Sequence, residues 1–222
     1  SFVYTPLEGK KGRDYFGYKA IDSEGNYSQE ATVIIKLIKC GADISYADMK
    51  GNKSEYAAMK LCDCGAFVGK SIGGRYYFEP SSKVTRGEFL SLCLEISSSD
   101  LLSGVVATGF SDDSEIPEYY KPYVATAVMN GIVSGRLTDG SCVFDADESI
   151  SRPEAMVILS RTLSLCDVSY VNVGDELPEW AVQSAANLSA CGIVSDITSD
   201  ECLTRAECAE MLASAMSFLN KR

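Results

Sequence analysis

Hydrophobic and polar positions follow two different periods along this chain. Near the amino end the period is two. Val33, Ile35 and Leu37 alternate with Thr32, Ile34 and Lys36, which suits a strand. DYFGYKAID stands upstream, SEGNYSQE lies between, and Gly25-Asn26 supplies a turn. Residues 1–38 are therefore expected to be β structure. Two strands alone are marginal, so this segment is expected to pack on something else. From residue 40 the pattern becomes helical. Phe89, Leu92, Cys93 and Ile96 stand at offsets 0, 3, 4 and 7, as do Cys208, Met211, Leu212 and Ala215. Each set falls on one helical face.

Both runs start in the same way, and a third copy exists. VTRGEF (84–89), ISRPEA (150–155) and LTRAEC (203–208) each give an apolar residue, Thr or Ser, Arg, a small residue or Pro, then Glu. The hydroxyl can cap the helix while the Glu reaches back to the cap's N–H, a capping box. Upstream of each stands LCDCGAFVG (61–69), AVMNGIVSG (127–135) or LSACGIVSD (188–196). Gly65, Gly131 and Gly192 fit the position just past a helix end, where a left-handed residue is needed. Further upstream come Tyr46-x-Asp48, Phe110-x-Asp112 and Val173-x-Asp175. Gly65 to Arg86 and Gly131 to Arg152 are 21 residues each, while Gly192 to Arg205 is 13. Phe78 and Phe144 each precede the cap by seven residues, and the third copy has no equivalent. Three blocks in one order, three times, form an internal repeat of helix, loop and helix.

Capping explains the Thr or Ser and the Glu of each copy, but not the Arg. A cation in the first turn is mildly disfavoured by the helix dipole. A guanidinium fork beside free helix N–H groups makes a good seat for a carboxylate. The other reading is a structural salt bridge between neighbouring copies. Asp48, Asp112 and Asp175 stand just before helices and read first as N-caps, with direct ligand contact as their second possible role.

Charge and composition then narrow the function classes. Net charge is −11 with a sequence pI near 4.5, which disfavours broad nucleic-acid binding and leaves any anionic partner to local Arg and Lys clusters. No apolar run approaches a membrane span, so a membrane partner is not expected. There is no histidine, which removes Ser-His-Asp and Cys-His devices. The acidic pairs Asp112-Asp113 and Asp145-x-Asp147 sit in turn and cap contexts, and no catalytic residue is expected. Asp145, Asp147 and Ser149 match positions 1, 3 and 5 of a calcium loop, but Ile150 and Met156 stand where Gly and Glu are required. Neither a metal nor a cofactor is expected. Most of the nine cysteines read as small buried hydrophobes; one or two disulfides fit as well, while two spaced zinc-ligand pairs are missing. The chain begins directly in strand-like sequence, Phe2-Val3-Tyr4, and reads as part of a longer protein with domains upstream.

The Phe110-x-Asp112 opening, the Trp180-Ala181…Ala185…Leu188…Gly192-Ile193-Val194 stretch, the Phe78-x-Pro80 loop and the Thr204-Arg-Ala-Glu207 cap together resemble the S-layer homology (SLH) domain in three tandem modules. Phe16-x-Tyr18-x-x-x-Asp22-x-x-Gly25-Asn26-x-Ser28 resembles the last hairpin of bacterial immunoglobulin-like or cadherin-like surface modules. The resemblance implies a mainly α fold, with three helix-loop-helix modules in a pseudo-threefold arrangement after a short β hairpin. Its units are 1–39 (end of an Ig-like module), 40–98, 99–165 and 166–222. It also implies an extracellular place on a bacterial cell wall or S-layer, and a non-catalytic anchoring role. The implied partner is an anionic secondary cell-wall polysaccharide, often pyruvylated. Arg86, Arg152 and Arg205 would meet the acidic sugar, with Asp48, Asp112, Asp175 and Trp180 as further candidate contacts. Trp180 reads first as half-buried packing, although the family's aromatic here can lie against the sugar; Lys53 and Tyr119 hold its place in the other copies. Because the third copy is shortened and carries Asp196 in place of a glycine, the Arg205 site is expected to be the weakest. The alternative function is protein–protein packing in a surface lattice without glycan.

Overall fold

The computed structural model describes residues 12–37, 44–169, 177–195 and 201–220. Among them are six helices and three two-stranded antiparallel sheets. The first sheet is the expected hairpin, β1 (Gly12–Tyr18) and β2 (Ala31–Leu37), with Tyr15 opposite Ile34. Its turn is tied by the Asp22 carboxylate, which accepts the N–H groups of Glu24 and Asn26. Then follow α1 (Glu55–Asp63), β3 (Lys70–Ile72), β4 (Arg75–Tyr77), α2 (Arg86–Ile96), α3 (Lys121–Met129), β5 (Arg136–Thr138), β6 (Ser141–Val143), α4 (Arg152–Thr162), α5 (Glu179–Ala190) and α6 (Arg205–Leu219).

Local sequence explains most of the helix ends. Thr85, Ser151 and Thr204 are the N-caps of α2, α4 and α6, and all three form complete capping boxes with Glu88, Glu154 and Glu207. At the other ends, Gly65, Gly131 and Gly192 adopt φ of 78°, 68° and 67° just past α1, α3 and α5. The N–H of Gly65 returns to Cys62 and that of Ala66 to Leu61, and the other two ends repeat this doubled bond. These are Schellman closures, which a residue with a Cβ would strain. The loops expected after α1 and α3 fold back as small hairpins, β3–β4 and β5–β6. Strands of three residues are too short to show a period of two in the sequence.

Packing does not follow the order of the copies. The neighbour of α3 is α2, that of α5 is α4, and that of α1 is α6, while α2 also touches α4 and α6. At the centre, the residues just before the three caps form a closed ring of backbone bonds. Val84 N–H donates to Leu203, Leu203 N–H to Ile150, and Ile150 N–H to Val84. All three side chains are buried. Around them lie Phe78, Phe89, Phe144, Leu90, Met156 and Leu159, each fully buried; such side chains are worth about 1.5–3 kcal/mol apiece. Cysteines contribute less than the sequence suggests. Cys62, Cys93 and Cys208 are core residues, but Cys64 and Cys166 are exposed, and Cys142, Cys191 and Cys202 are half-buried.

Candidate functional site

Each capping-box glutamate has a second partner, on another helix. Glu154 gives Oε2 to the N–H and hydroxyl of Ser151, and its Oε1 lies 3.1 Å from Arg86 Nη1. Glu207 likewise gives Oε2 to Thr204 and Oε1 to Arg152 Nη2, at 2.6 Å. Glu88 caps Thr85 through Oε2, and its Oε1 is 3.8 Å from Arg205 Nη2. So each arginine reaches the next cap's glutamate, in the cycle α2 to α4 to α6 to α2. A salt bridge between neighbouring copies is therefore the contact observed at all three positions. It also answers the dipole objection, because each first-turn cation sits against a carboxylate supplied by another helix.

The arginines differ in their remaining contacts. Arg86 Nε donates to the Phe144 carbonyl at 2.8 Å, with the guanidinium 5.2 Å from that ring. Arg205 Nη1 donates to the Phe78 carbonyl at 2.9 Å and to Glu79 at 3.0 Å. The residues just before the third cap, 196–200, lie outside the described residues, and the buried Nε of Arg152 has no hydrogen-bond partner among those described. The neighbouring backbone agrees. Gly87 N–H donates to Ala146 and Ala206 N–H to Pro80, while the matching position beside Arg152 is Pro153, which has no N–H. The sequence reading expected the shortened third copy to weaken the Arg205 site. The loop contacts of Arg205 come from the first copy, through the Phe78 carbonyl and Glu79.

Asp48 and Asp112 are not N-caps, as the sequence suggested; Ser54 and Tyr120 hold those positions. Instead Asp48 accepts the N–H groups of Phe78 and Glu79 at 2.9 and 2.7 Å, and Asp112 those of Phe144 and Asp145 at 2.9 and 2.8 Å. Glu79 and Asp145 carry φ of 58° and 56°, a left-handed conformation disfavoured for these residues. The two aspartates thus clamp the strained loops that present the phenylalanine carbonyls to Arg205 and Arg86. Asp175, and the Asp196 substitution, lie outside the described residues.

Electrostatics follow the contacts. Burial pushes the Glu154 carboxyl up, but Arg86 and Arg136 outweigh it and hold the group below its ordinary value. Glu207 is lowered against burial by the Thr204 cap and by Arg152. Burial pushes Arg86 down, opposed by Glu154, and the guanidinium remains charged.

Beside each arginine lies a groove. The Arg152 groove, of about 620 Å³, is lined among others by Lys53, Lys60, Glu207 and Glu210. The Arg86 groove, about 320 Å³, carries Arg136, Arg161, Glu154 and Trp180. Trp180 is not half-buried there: it is 58% exposed. The Arg205 groove, about 370 Å³, is lined by Glu88, Phe67, Tyr119, Tyr120 and Tyr15 from β1. The sequence reading missed Arg136 and Arg161. Arg136 had a signal, since a basic residue follows both Gly69 and Gly135, as Lys70 and Arg136. Lys70 pairs with Glu79, while Arg136 pairs with Asp145 and Glu154. Arg161, in the last turn of α4, had none.

Residues 109–156 match the S-layer homology domain family, a span that holds the Asp112 clamp, α3, β5–β6 and the start of α4. Over 159 residues the chain is 24% identical to the surface-layer 125 kDa protein of Lysinibacillus sphaericus. That alignment covers 67% of this chain and 13% of the relative. These likenesses support a surface-protein module of the cell-wall-anchoring kind, and they indicate an extracellular bacterial protein associated with the cell wall or S-layer.

Proposed function

We propose that this chain is a non-catalytic anchor that holds a larger surface protein on an anionic, pyruvylated cell-wall polysaccharide. Residues 40–98, 99–165 and 166–222 act as three SLH modules around a pseudo-threefold axis, centred on the Val84–Leu203–Ile150 ring. Residues 1–39 end an upstream immunoglobulin-like module. One observation carries the glycan reading: in the Arg86 groove an exposed Trp180 stands with Arg161, which has no carboxylate partner among the described residues, while Arg86 and Arg136 are paired with Glu154 and Asp145. An aromatic face and surplus fixed positive charge suit a sugar ring bearing a carboxylate. Arg152 offers a second seat, since its Nε has no partner among the described residues and Lys53 and Lys60 line the same groove. Two modest sites on one polymer reinforce each other through effective concentration.

The test is co-sedimentation with purified cell walls. Arg86 is consumed by Glu154 and Phe144, so replacing it probes the fold; Trp180→Ala and Arg161→Ala leave that joint intact. Wild type is expected to sediment with walls and to stay soluble once the acidic polysaccharide is stripped. The double variant should lose about tenfold in affinity, roughly 1.4 kcal/mol. Wild-type binding to stripped walls overturns the glycan reading. The internal Arg–Glu cycle favours the second reading, a packing module in a surface lattice. That reading gains if the chain self-associates yet never sediments with walls.

A further inference from the structure

Twelve residues before each helix-ending glycine stands Lys53, Tyr119 or Trp180, and each lines one groove. Two of the three are open to solvent: Trp180 is 58% exposed and the Lys53 side chain 84%. Tyr119 is not. Its ring packs between Tyr120, at a centroid distance of 4.3 Å, and Tyr15 of β1, at 5.2 Å. The place where a ligand ring would rest on Tyr119 is already taken by an aromatic side chain of the same chain. The rest of the groove suits such an occupant. Leu61, Ala66, Phe67 and Val84 line it, and Arg205 is matched by Glu79, Glu88 and the Phe78 carbonyl.

We infer that the Arg205 groove is the docking seat of the β1–β2 hairpin, with Tyr15 as its anchor, and that this contact closes the groove to glycan. The closure rests on the proposed anchoring function; the docking does not. A two-stranded hairpin is marginally stable by itself, and the seat gives it a packing partner on the helical body. The groove then joins the β segment to the helical body, and wall binding is left to the Arg86 and Arg152 grooves. Of the three repeated sites, one has become an internal joint.

Hydrogen–deuterium exchange on the whole chain tests the docking, and calorimetry tests the closure. Tyr119→Ala changes the seat without touching the hairpin. It should raise amide exchange in 31–37 at least tenfold, while exchange in α4 stays as in wild type. Tyr15→Ala should do the same from the other side. With the methyl glycoside of a pyruvylated N-acetylhexosamine as probe, Tyr15→Ala should bind one more equivalent than wild type. Unchanged hairpin exchange in both variants overturns the docking. A released hairpin with unchanged stoichiometry overturns the closure. If no variant binds the probe but Tyr119→Ala frees the hairpin, the docking stands and the anchoring function fails.

Discussion

The joint at Arg86 and the joint at Arg152 begin from the same six-residue pattern, yet they end differently. At the first, a complete loop from the next copy delivers the Phe144 carbonyl and ring, the Ala146 carbonyl, and Glu154. The arginine is 5% exposed and each of its neighbours is satisfied. At the second, the next copy is eight residues shorter. Among the described residues Arg152 has Glu207 as its ion-pair partner, Pro153 offers no N–H, and a larger groove opens alongside. One repeated cap thus ends in an arginine enclosed by another copy's loop at Arg86 and in one beside a larger groove at Arg152.

The difference is sharpest at the glutamates. Glu154→Gln strands Arg86 in a buried site and should cost about 3–5 kcal/mol. Glu207→Gln leaves Arg152 beside an open groove, where water can replace the lost partner, and should cost about 1–2 kcal/mol. Urea unfolding of the two variants measures the gap; equal losses would mean that the loop does not seal the first joint. The clamp comes next. Asp112→Asn replaces two charge-assisted bonds with one neutral acceptor and an amide facing an N–H, and should cost about 2–3 kcal/mol. Thermal unfolding no different from wild type would show that the left-handed loop needs no clamp. The smallest effect separates the prolines. Ala206→Pro removes the N–H that reaches Pro80 and should cost about 1–2 kcal/mol. Pro153→Ala removes no bond and should stay within about 1 kcal/mol of wild type. If the two variants melt together, the Ala206–Pro80 bond contributes nothing measurable.

The capping boxes, the helix-ending glycines and the hairpin turn were legible because each is written in a few adjacent residues. Thr85 and Glu88 find each other within one turn, and Gly65 is set by the helix it ends. The four short strands were not legible, since three residues give no period. The aspartates were placed in the right positions but in the wrong role: their partners, Phe78 and Phe144, are 30 and 32 residues away. The arginines were identified correctly as unexplained by capping. Their carboxylates stand on other helices, as with Arg152 and Glu207, 55 residues apart. A single sequence carries no signal for such a pair, so the ligand reading stood ahead of the salt bridge there.

What the sequence determined by itself is the repeat: three capped helices, three glycine-closed helices and an amino-terminal hairpin, all decided by hydrogen bonds between near neighbours. Only the tertiary structure decided which copy completes which. Packing sets α1 against α6, gives Arg86 and Arg205 the loop of another copy, and gives every cap arginine the glutamate of another cap. The reason is that a guanidinium is satisfied by groups arranged around it in space, and here those groups belong to distant parts of the chain.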